Sequence, residues 1–202
     1  KINLKTIALI PIARTTFDIP FAAEMLQRTR AVLLQNSFSL CGPNDLVTDG
    51  NQVPLILNQL TETPYDLLVL LYCSFADSSM ARQIAETARV PVLMWAFPEE
   101  TTGGRLRLNS LCGINLSGHA LHRASLEYDY LYTFPEDPAA IQKVQVLANA
   151  GHALRTLQNT RIGRFGQHPH GFDSCIPNPD GLLEKLGVEI VQVELQDFFQ
   201  RV

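Results

Sequence analysis

The sequence is poor in cysteine and in charge, and it lacks both long apolar runs and clusters of basic residues. Its four cysteines show no C-x-x-C spacing, which argues against a secreted disulfide scaffold and makes a reducing cytoplasm the expected compartment. The longest apolar run, 67–72, is far shorter than the ~20 residues that span a bilayer, so no membrane segment is predicted. A formal net charge of −4 provides no basic field, so neither nucleic acid nor an anionic membrane is an expected partner.

The sequence also lacks the common catalytic and cofactor motifs. It contains no Walker motif and no Gly-x-Ser-x-Gly elbow, and its loop 166–171 (GQHPHG) does not have the G-x-G-x-x-G order. The pairs His119 and His122, and His168 and His170, come without the further ligands that a metal site needs. We therefore assign no catalytic residue, no metal ligand and no cofactor to this chain alone.

Strand-like and helix-like segments alternate along the whole chain. Runs such as 6–13 (TIALIPIA) and 65–73 (YDLLVLLYC) are continuously apolar, which is typical of strands covered on both faces. Asp18 is a candidate helix N-cap with Pro20 in the first turn, and another helix is predicted over 113–126. The alternation predicts an α/β fold, a three-layer doubly wound parallel sheet whose first five strands follow a flavodoxin-like order. The predicted strands span residues 6–13, 38–41, 65–73, 90–97, 128–134, 161–166 and 188–195.

The end of the chain reads as the start of a second domain. After a helix that ends near Asn159, residues 161–166 form a new predicted strand, followed by a loop, one helix and one more strand. A lone β-α-β unit cannot bury both of its faces. We therefore predict a flavodoxin-like domain over 1–159 and the incomplete beginning of a second α/β domain over 160–202, so that the chain is the front part of a larger protein.

The candidate binding residues follow from the predicted strand order. In an open parallel sheet, ligands bind outside the carboxyl ends of the strands where the strand order reverses. This rule brings the loop 14–18 next to the loop 73–77, with the end of the fourth strand nearby. The candidate substrate-binding residues are Arg14, Phe17, Asp18, Ser74, Asp77 and Trp95.

Less specific interpretations of these residues remain open. Arg14 suits a hydroxyl-rich or anionic substrate, but a surface arginine paired with Asp18 or Asp77 fits the sequence equally well. Trp95 fits the core as well as a pocket, and Glu99 fits a solvated loop as well as a pocket wall. Cys73 stands where cofactor-independent racemases carry a nucleophile, although a buried cysteine at a strand end is commoner.

Three motifs carry a resemblance to a known family. They are Pro11-x-x-Arg14-x-x-Phe17-Asp18, the segment Asn109–Leu121 with Leu111-Cys112-Gly113 and Gly118, and Arg161-Ile-Gly-Arg-Phe-Gly166 followed by Gly171-Phe-Asp. Together they resemble the N-terminal region of the L-fucose isomerase and L-arabinose isomerase-like family. The resemblance implies a multi-domain, oligomeric aldose–ketose isomerase with a divalent metal, often manganese, whose Glu, Asp and His ligands lie further along than residue 202. It also implies that the first domain covers a neighbour's active site and that Arg14 lies in the approximate region of the family's N-terminal substrate-contacting arginine.

The leading hypothesis is therefore the N-terminal part of a sugar isomerase-like protein. It would supply substrate contacts and a homo-oligomer interface, with a sugar as the partner molecule and no activity alone. The alternatives are a non-catalytic flavodoxin-like binding or interaction module and a Cys73-dependent racemase-like enzyme.

Overall fold

A computed structural model describes residues 4–100, 103–158 and 160–200. It divides the chain into two compact units, 1–152 and 153–202. The strands are β1 (Lys5–Ile12), β2 (Phe38–Cys41), β3 (Leu67–Tyr72), β4 (Val92–Ala96), β5 (Asp129–Tyr132), β6 (Arg161–Phe165) and β7 (Glu189–Val193). The helices are α1 (Ile19–Gln35), α2 (Val53–Glu62), α3 (Ser78–Ala85), α4 (Ser110–Arg123), α5 (Pro138–Leu157), α6 (Pro179–Leu186) and α7 (Leu195–Phe199).

The first unit is built on a five-stranded parallel sheet in the order β2-β1-β3-β4-β5. This is the flavodoxin-like order, so the predicted fold class is confirmed. The order reverses between β1 and β3, which pair from Ile7 with Leu67 to Ile12 with Tyr72. Right-handed crossovers on opposite faces diverge at this point and leave a crevice above the carboxyl ends of the two strands.

Each face of the sheet has its own apolar core, because β1 and β3 send buried side chains to both sides. On one face, Val53 of α2, Ile84 of α3 and Ile114 of α4 pack against the sheet. On the other face, Met25 of α1 and Val144 of α5 do so. The three layers follow from the continuously apolar strands, because both faces of the central strands β1 and β3 must be covered by helices.

Two helix starts beside the crevice are capped by aspartates. The Asp18 carboxylate accepts a hydrogen bond of 3.0 Å from the Phe21 N–H, and Pro20 lies in the first turn of α1. The Asp77 carboxylate accepts one of 2.9 Å from the Ser79 N–H at the start of α3. A cap of this kind stabilises the start of the helix and fixes where the loop ends.

Helix α4 begins at Ser110 and ends at Arg123, three residues earlier at each end than the predicted 113–126. The buried Ser110 hydroxyl causes the early start, since it donates to the Phe97 carbonyl at 2.9 Å and accepts from the Phe97 N–H. Gly113 then lies close to the sheet, because a Cβ there would be 2.7 Å from the Tyr72 ring. The sequence predicted the helix but not this tertiary contact.

In the second unit, β6 and β7 pair in parallel as a separate two-stranded sheet. Helix α6 connects them, beginning at the Asn178 cap and ending at Gly187, whose φ of 68° is left-handed. This matches the predicted β-α-β segment, whereas the short helix α7 replaces the end of the predicted last strand. Within the described residues, none of the helices combines the length and the apolarity that a bilayer crossing demands.

Asp66 links the amino-terminal end of β1 to helix α5. Its N–H donates to the Thr6 carbonyl at 2.7 Å, and its carboxylate accepts from the Thr6 N–H at 2.8 Å and lies 3.0 Å from Nδ1 of His152 on α5. The helix approaches so closely at Gly151 that an added Cβ would lie 1.7 Å from the Asp66 carbonyl oxygen. The contact therefore requires glycine.

We predict that Gly151→Ala lowers the free energy of unfolding by about 3 kcal/mol, because the new methyl group overlaps backbone that cannot move aside. The higher helix propensity of alanine alone would raise the free energy of unfolding by up to ~1 kcal/mol. A decrease would therefore come from the overlap with Asp66, and an increase would mean that the overlap is absent. Gly50→Ala is the control, since its Cβ would meet no atom nearer than 4.0 Å. Urea unfolding of both variants measures the difference, and an unchanged or raised midpoint for Gly151→Ala would contradict this packing.

Candidate functional site

The site lies above the carboxyl ends of β1 and β3, where the strand order reverses. The Arg14 N–H donates a hydrogen bond of 2.9 Å to Oγ of Ser74, which joins the loops that follow the two strands. Ser74 is fully buried, so it braces the loop and does not face solvent. The structure thus brings the loops 14–18 and 73–77 together, as their position in the sequence predicted.

A cleft of about 460 Å³ opens between these loops and the loop that follows β2. The third loop is attached to β1 through Val47, which exchanges backbone hydrogen bonds with Pro11 at 2.7 Å and Ala13 at 3.0 Å. Most of the cleft's polar lining is exposed, so it is open to a polar ligand. The lining residues are Ala13, Arg14, Thr15, Thr48, Asp49, Gly50, Ala76, Asp77, Ser79 and Met80.

The segment Thr48-Asp49-Gly50 escaped the sequence analysis. It belongs to a short helical turn in which the Asp49 side chain accepts from the Asn51 N–H at 2.9 Å, while Gln52 reaches back to the Asp49 N–H at 3.1 Å. An aspartate followed three residues later by glutamine is a capping-box pattern. That pattern was the one available signal, and it marks a helix start without indicating a binding loop.

Asp77 provides a stable negative charge in the cleft. Hydrogen bonds from the Ser79 hydroxyl and N–H, together with the nearby Arg14 charge, hold the pKa of this carboxyl below its usual range. The carboxylate therefore stays ionised at neutral pH and acts as a hydrogen-bond acceptor. Arg14 and Asp77 give the cleft a donor side and an acceptor side.

An aromatic pair lies beside Arg14. The rings of Phe17 and Phe75 have centroids 5.8 Å apart. The Arg14 guanidinium lies 5.9 Å from the Phe75 centroid, and that of Arg105 lies 5.2 Å from the Phe17 centroid. Phe17 therefore lies beside the cleft, where its ring contacts Phe75 and Arg105, and it is not among the residues that line the cleft.

Asp18 has a different environment from the one expected of a substrate ligand. Its carboxylate caps α1 and forms a salt bridge of 2.8 Å with Arg107, whose guanidinium lies 4.0 Å from the Phe21 ring centroid. The Phe21 N–H and then Arg107 lower the pKa of Asp18. The carboxylate is thus already engaged in holding two loops together.

The segment 103–109 completes the site, although the sequence analysis did not single it out. The Asp18 N–H donates to the Arg107 carbonyl at 3.1 Å, and the Phe75 N–H donates to the Leu108 carbonyl at 2.7 Å. The Glu99 carboxylate accepts from the N–H groups of Leu108, at 2.7 Å, and Asn109. Glu99 therefore anchors this segment through backbone hydrogen bonds and is not merely a solvated loop residue.

The structure places Trp95 in the core. Its side chain has 0% exposed surface and packs within the cluster between the sheet and helices α1 and α5. Its indole N–H donates to the Thr133 carbonyl at 3.0 Å. A residue of β4 that points into this cluster offers no atom to a ligand in the crevice, so Trp95 is removed from the candidate site.

Cys73 is also fully buried. Burial raises the pKa of this thiol, so the reactive thiolate is disfavoured, and the nearby helix start does not compensate for it. The racemase-like alternative needs an accessible thiolate, and this environment opposes it.

Within the described residues, no group of three His, Cys, Asp or Glu side chains is arranged to hold a metal ion, so His119 and His122 remain an isolated pair.

Comparison with known proteins identifies the family. A profile described as "Fucose/sulfoquinovose isomerase, N-terminal domain" matches residues 8–158. The chain belongs to this family. The match confirms the family resemblance. It covers the first two of the three motifs, the strands β2 to β5 and all but the first three residues of β1.

Several curated relatives match over almost the whole chain. A sulfoquinovose isomerase from Alkalicoccus urumqiensis is 31% identical over 196 residues, which cover 97% of this chain and 44% of the relative. Sulfoquinovose isomerases from Priestia megaterium and a Clostridium species are 29% and 25% identical, covering 96% of this chain and 44% and 43% of the relatives. The chain therefore spans less than half the length of the curated relatives that it matches.

We predict that iodoacetamide at pH 8 labels Cys112 and Cys175 of the native chain and leaves Cys73 unlabelled. The first two are exposed, whereas burial removes access to Cys73 and raises its pKa. Peptide mass spectrometry measures the labelling, and the chain in guanidinium serves as the control in which Cys73 also reacts. If Cys73 of the native chain were labelled as fast as Cys112, the result would contradict this burial and support the Cys73-dependent racemase-like alternative.

Proposed function

We propose that this chain is the N-terminal, substrate-contacting part of an aldose–ketose isomerase that acts on a sulfonated sugar of the sulfoquinovose type. The relatives' name supplies the substrate class. The observation that carries the proposal is the polar cleft at the strand-order reversal, with Arg14 on one wall and Asp77 on the other. A sugar presents hydroxyl groups that donate and accept, and the cleft offers both kinds of partner.

The proposed roles follow from the side-chain chemistry. The Arg14 guanidinium donates to sugar oxygens, and the ionised Asp77 carboxylate accepts from sugar hydroxyls. Thr15 and Ser79 add hydroxyl groups at the rim. Ser74, Asp18 and Phe17 act indirectly, since they hold the loop that carries Arg14. The chain thereby orients the sugar for proton transfer between neighbouring carbons.

The metal and the proton-transfer groups are proposed to come from the remaining part of the protein. The described residues of this chain do not form a divalent-metal site, so they do not fit the manganese that the family resemblance implies. Manganese would polarise the substrate oxygens when bound elsewhere in the protein. No step of the chemistry is assigned to a residue of this chain.

The proposal includes the predicted domain arrangement. Residues 1–159 form the flavodoxin-like domain and 160–202 begin a second α/β domain, with the protein acting as a cytoplasmic homo-oligomer. The family profile ends at residue 158, which supports a boundary near this point. In the homo-oligomer, the cleft of one subunit would cover the active site of its neighbour.

The decisive variant is Arg14→Ala in a longer protein that joins this chain to the portion found in the relatives. We expect kcat/KM for sulfoquinovose with Mn²⁺ to fall about 10- to 100-fold, because a charge-assisted contact to the sugar is lost. The melting temperature should stay nearly unchanged, since Arg14 is exposed and its backbone bond to Ser74 survives the substitution. Coupled detection of the ketose and calorimetry provide the two measurements.

Arg123→Ala is the matched control, because it removes an exposed arginine at the end of α4, on another element. The 202-residue chain alone should show no turnover with Mn²⁺ or Co²⁺. Turnover by this chain alone would refute the division of labour. An Arg14→Ala protein with normal kinetics and a large loss of stability would make Arg14 a structural residue.

A further inference from the structure

Arg14 and Arg105 flank one aromatic pair, although 91 positions separate them in the sequence. The Arg14 guanidinium lies 5.9 Å from the Phe75 ring centroid and that of Arg105 lies 5.2 Å from the Phe17 centroid, while the two ring centroids are 5.8 Å apart. We propose that these two arginines form an anion-binding subsite that recognises the sulfonate group of the substrate, with Arg105 as its specificity-determining residue. This inference rests on the proposed function and assigns one chemical group of the sugar to named side chains.

Among the residues that the structure describes, no ion pair neutralises the charge of either guanidinium group. Within the described residues, neither Arg14 nor Arg105 has a carboxylate oxygen at 4.0 Å or less. Asp77 is near enough to Arg14 for that charge to lower its pKa, but it forms its hydrogen bonds with Ser79. Arg107, by contrast, is paired with Asp18 at 2.8 Å. Positive charge therefore remains available on both sides of the aromatic pair.

Arg105 is held in place without losing its charge. One of its terminal nitrogens, Nη2, donates to the Thr16 carbonyl at 2.7 Å, and its guanidinium carbon lies 5.2 Å from the centroid of the Phe17 ring. A backbone carbonyl carries no net charge, so this bond does not neutralise the guanidinium, and the remaining N–H groups can donate to an anion. The contact with Phe17 and the hydrogen bond to Thr16 restrict the side chain before any ligand binds, which reduces the entropy lost on binding.

The segment that carries Arg105 is itself anchored. Backbone bonds join Arg107 to Asp18 and Leu108 to Phe75, and the Glu99 carboxylate binds the N–H groups of Leu108 and Asn109. The loops after β1, β3 and β4 therefore form one connected surface. The backbone segments that carry Arg14 and Arg105 are thereby held next to each other.

A sulfonate suits two such guanidinium groups. It carries one fixed negative charge at neutral pH and three acceptor oxygens, which parallel N–H donors contact in a forked arrangement. A sugar that lacks the group would leave both arginines without an anion. Discrimination against neutral sugars would then come from this subsite, while the cleft beside Asp77 binds the hydroxyl groups that both kinds of sugar share.

The test compares sulfoquinovose with 6-deoxyglucose, which has the same ring and lacks only the sulfonate. Calorimetric titration of the longer protein gives the Kd for each sugar, for wild type and for Arg105→Gln. We expect wild type to prefer sulfoquinovose and Arg105→Gln to weaken its binding about 10- to 100-fold while leaving the Kd for 6-deoxyglucose unchanged. Arg105→Lys should restore part of the preference, because it returns the charge without the fork.

Arg123→Gln controls for the loss of one positive charge, and it should leave both Kd values unchanged. Equal weakening of both sugars by Arg105→Gln would mean that Arg105 only supports the loop, and an unaltered preference would remove it from the subsite; either result overturns the proposal. A wild-type protein that shows no preference for the sulfonated sugar also overturns it. Turnover is assayed separately, so a protein that prefers the sulfonated sugar without isomerising it would refute the proposed function and retain the subsite.

Discussion

The rest of the structure depends on the parallel pairing of β1 with β3. All residues of β3 and the last six of β1 are buried, so the pair must be covered on both faces. The strand order reverses at this pair. The connections that leave the carboxyl ends of β1 and β3 therefore run to opposite faces of the sheet. The crevice above Ile12 and Tyr72 is therefore a consequence of burying two apolar strands, and the loops that line it are free to carry polar residues.

Those loops are positioned mainly by backbone groups. Ser74 accepts from the Arg14 N–H, Leu108 accepts from the Phe75 N–H, and Arg107 accepts from the Asp18 N–H. Such bonds tolerate variation in the exposed side chains, provided that the buried serine and the chain path are kept. A cleft held in this way can change its ligand through a few exposed residues, which suits a family whose profile covers both fucose and sulfoquinovose isomerases.

The sequence predicted the fold closely because the strand and helix signals are local. The bounds of β2, the Asp18 cap and the strand order all follow from apolar runs, turn residues and the rules of parallel connections. For the same reason it predicted that the loops 14–18 and 73–77 lie next to each other, since both follow parallel strands at the same end of the sheet. Arg105 and Asp49 were not named as candidates, because their positions depend on contacts between distant loops. Trp95 was misplaced because a strand residue near the crevice points either to it or to the core, and the alternation alone does not say which.

We propose that the cleft of this chain contacts the sulfonated sugar on which the longer protein acts. A crystal structure of the longer protein with sulfoquinovose and Mn²⁺ would show this contact. We expect sugar oxygens within hydrogen-bonding distance of the Arg14 guanidinium, with the sulfonate directed toward Arg105. A sugar bound entirely by residues beyond 202, with no atom near any cleft belonging to this domain in the same or a neighbouring subunit, would contradict it.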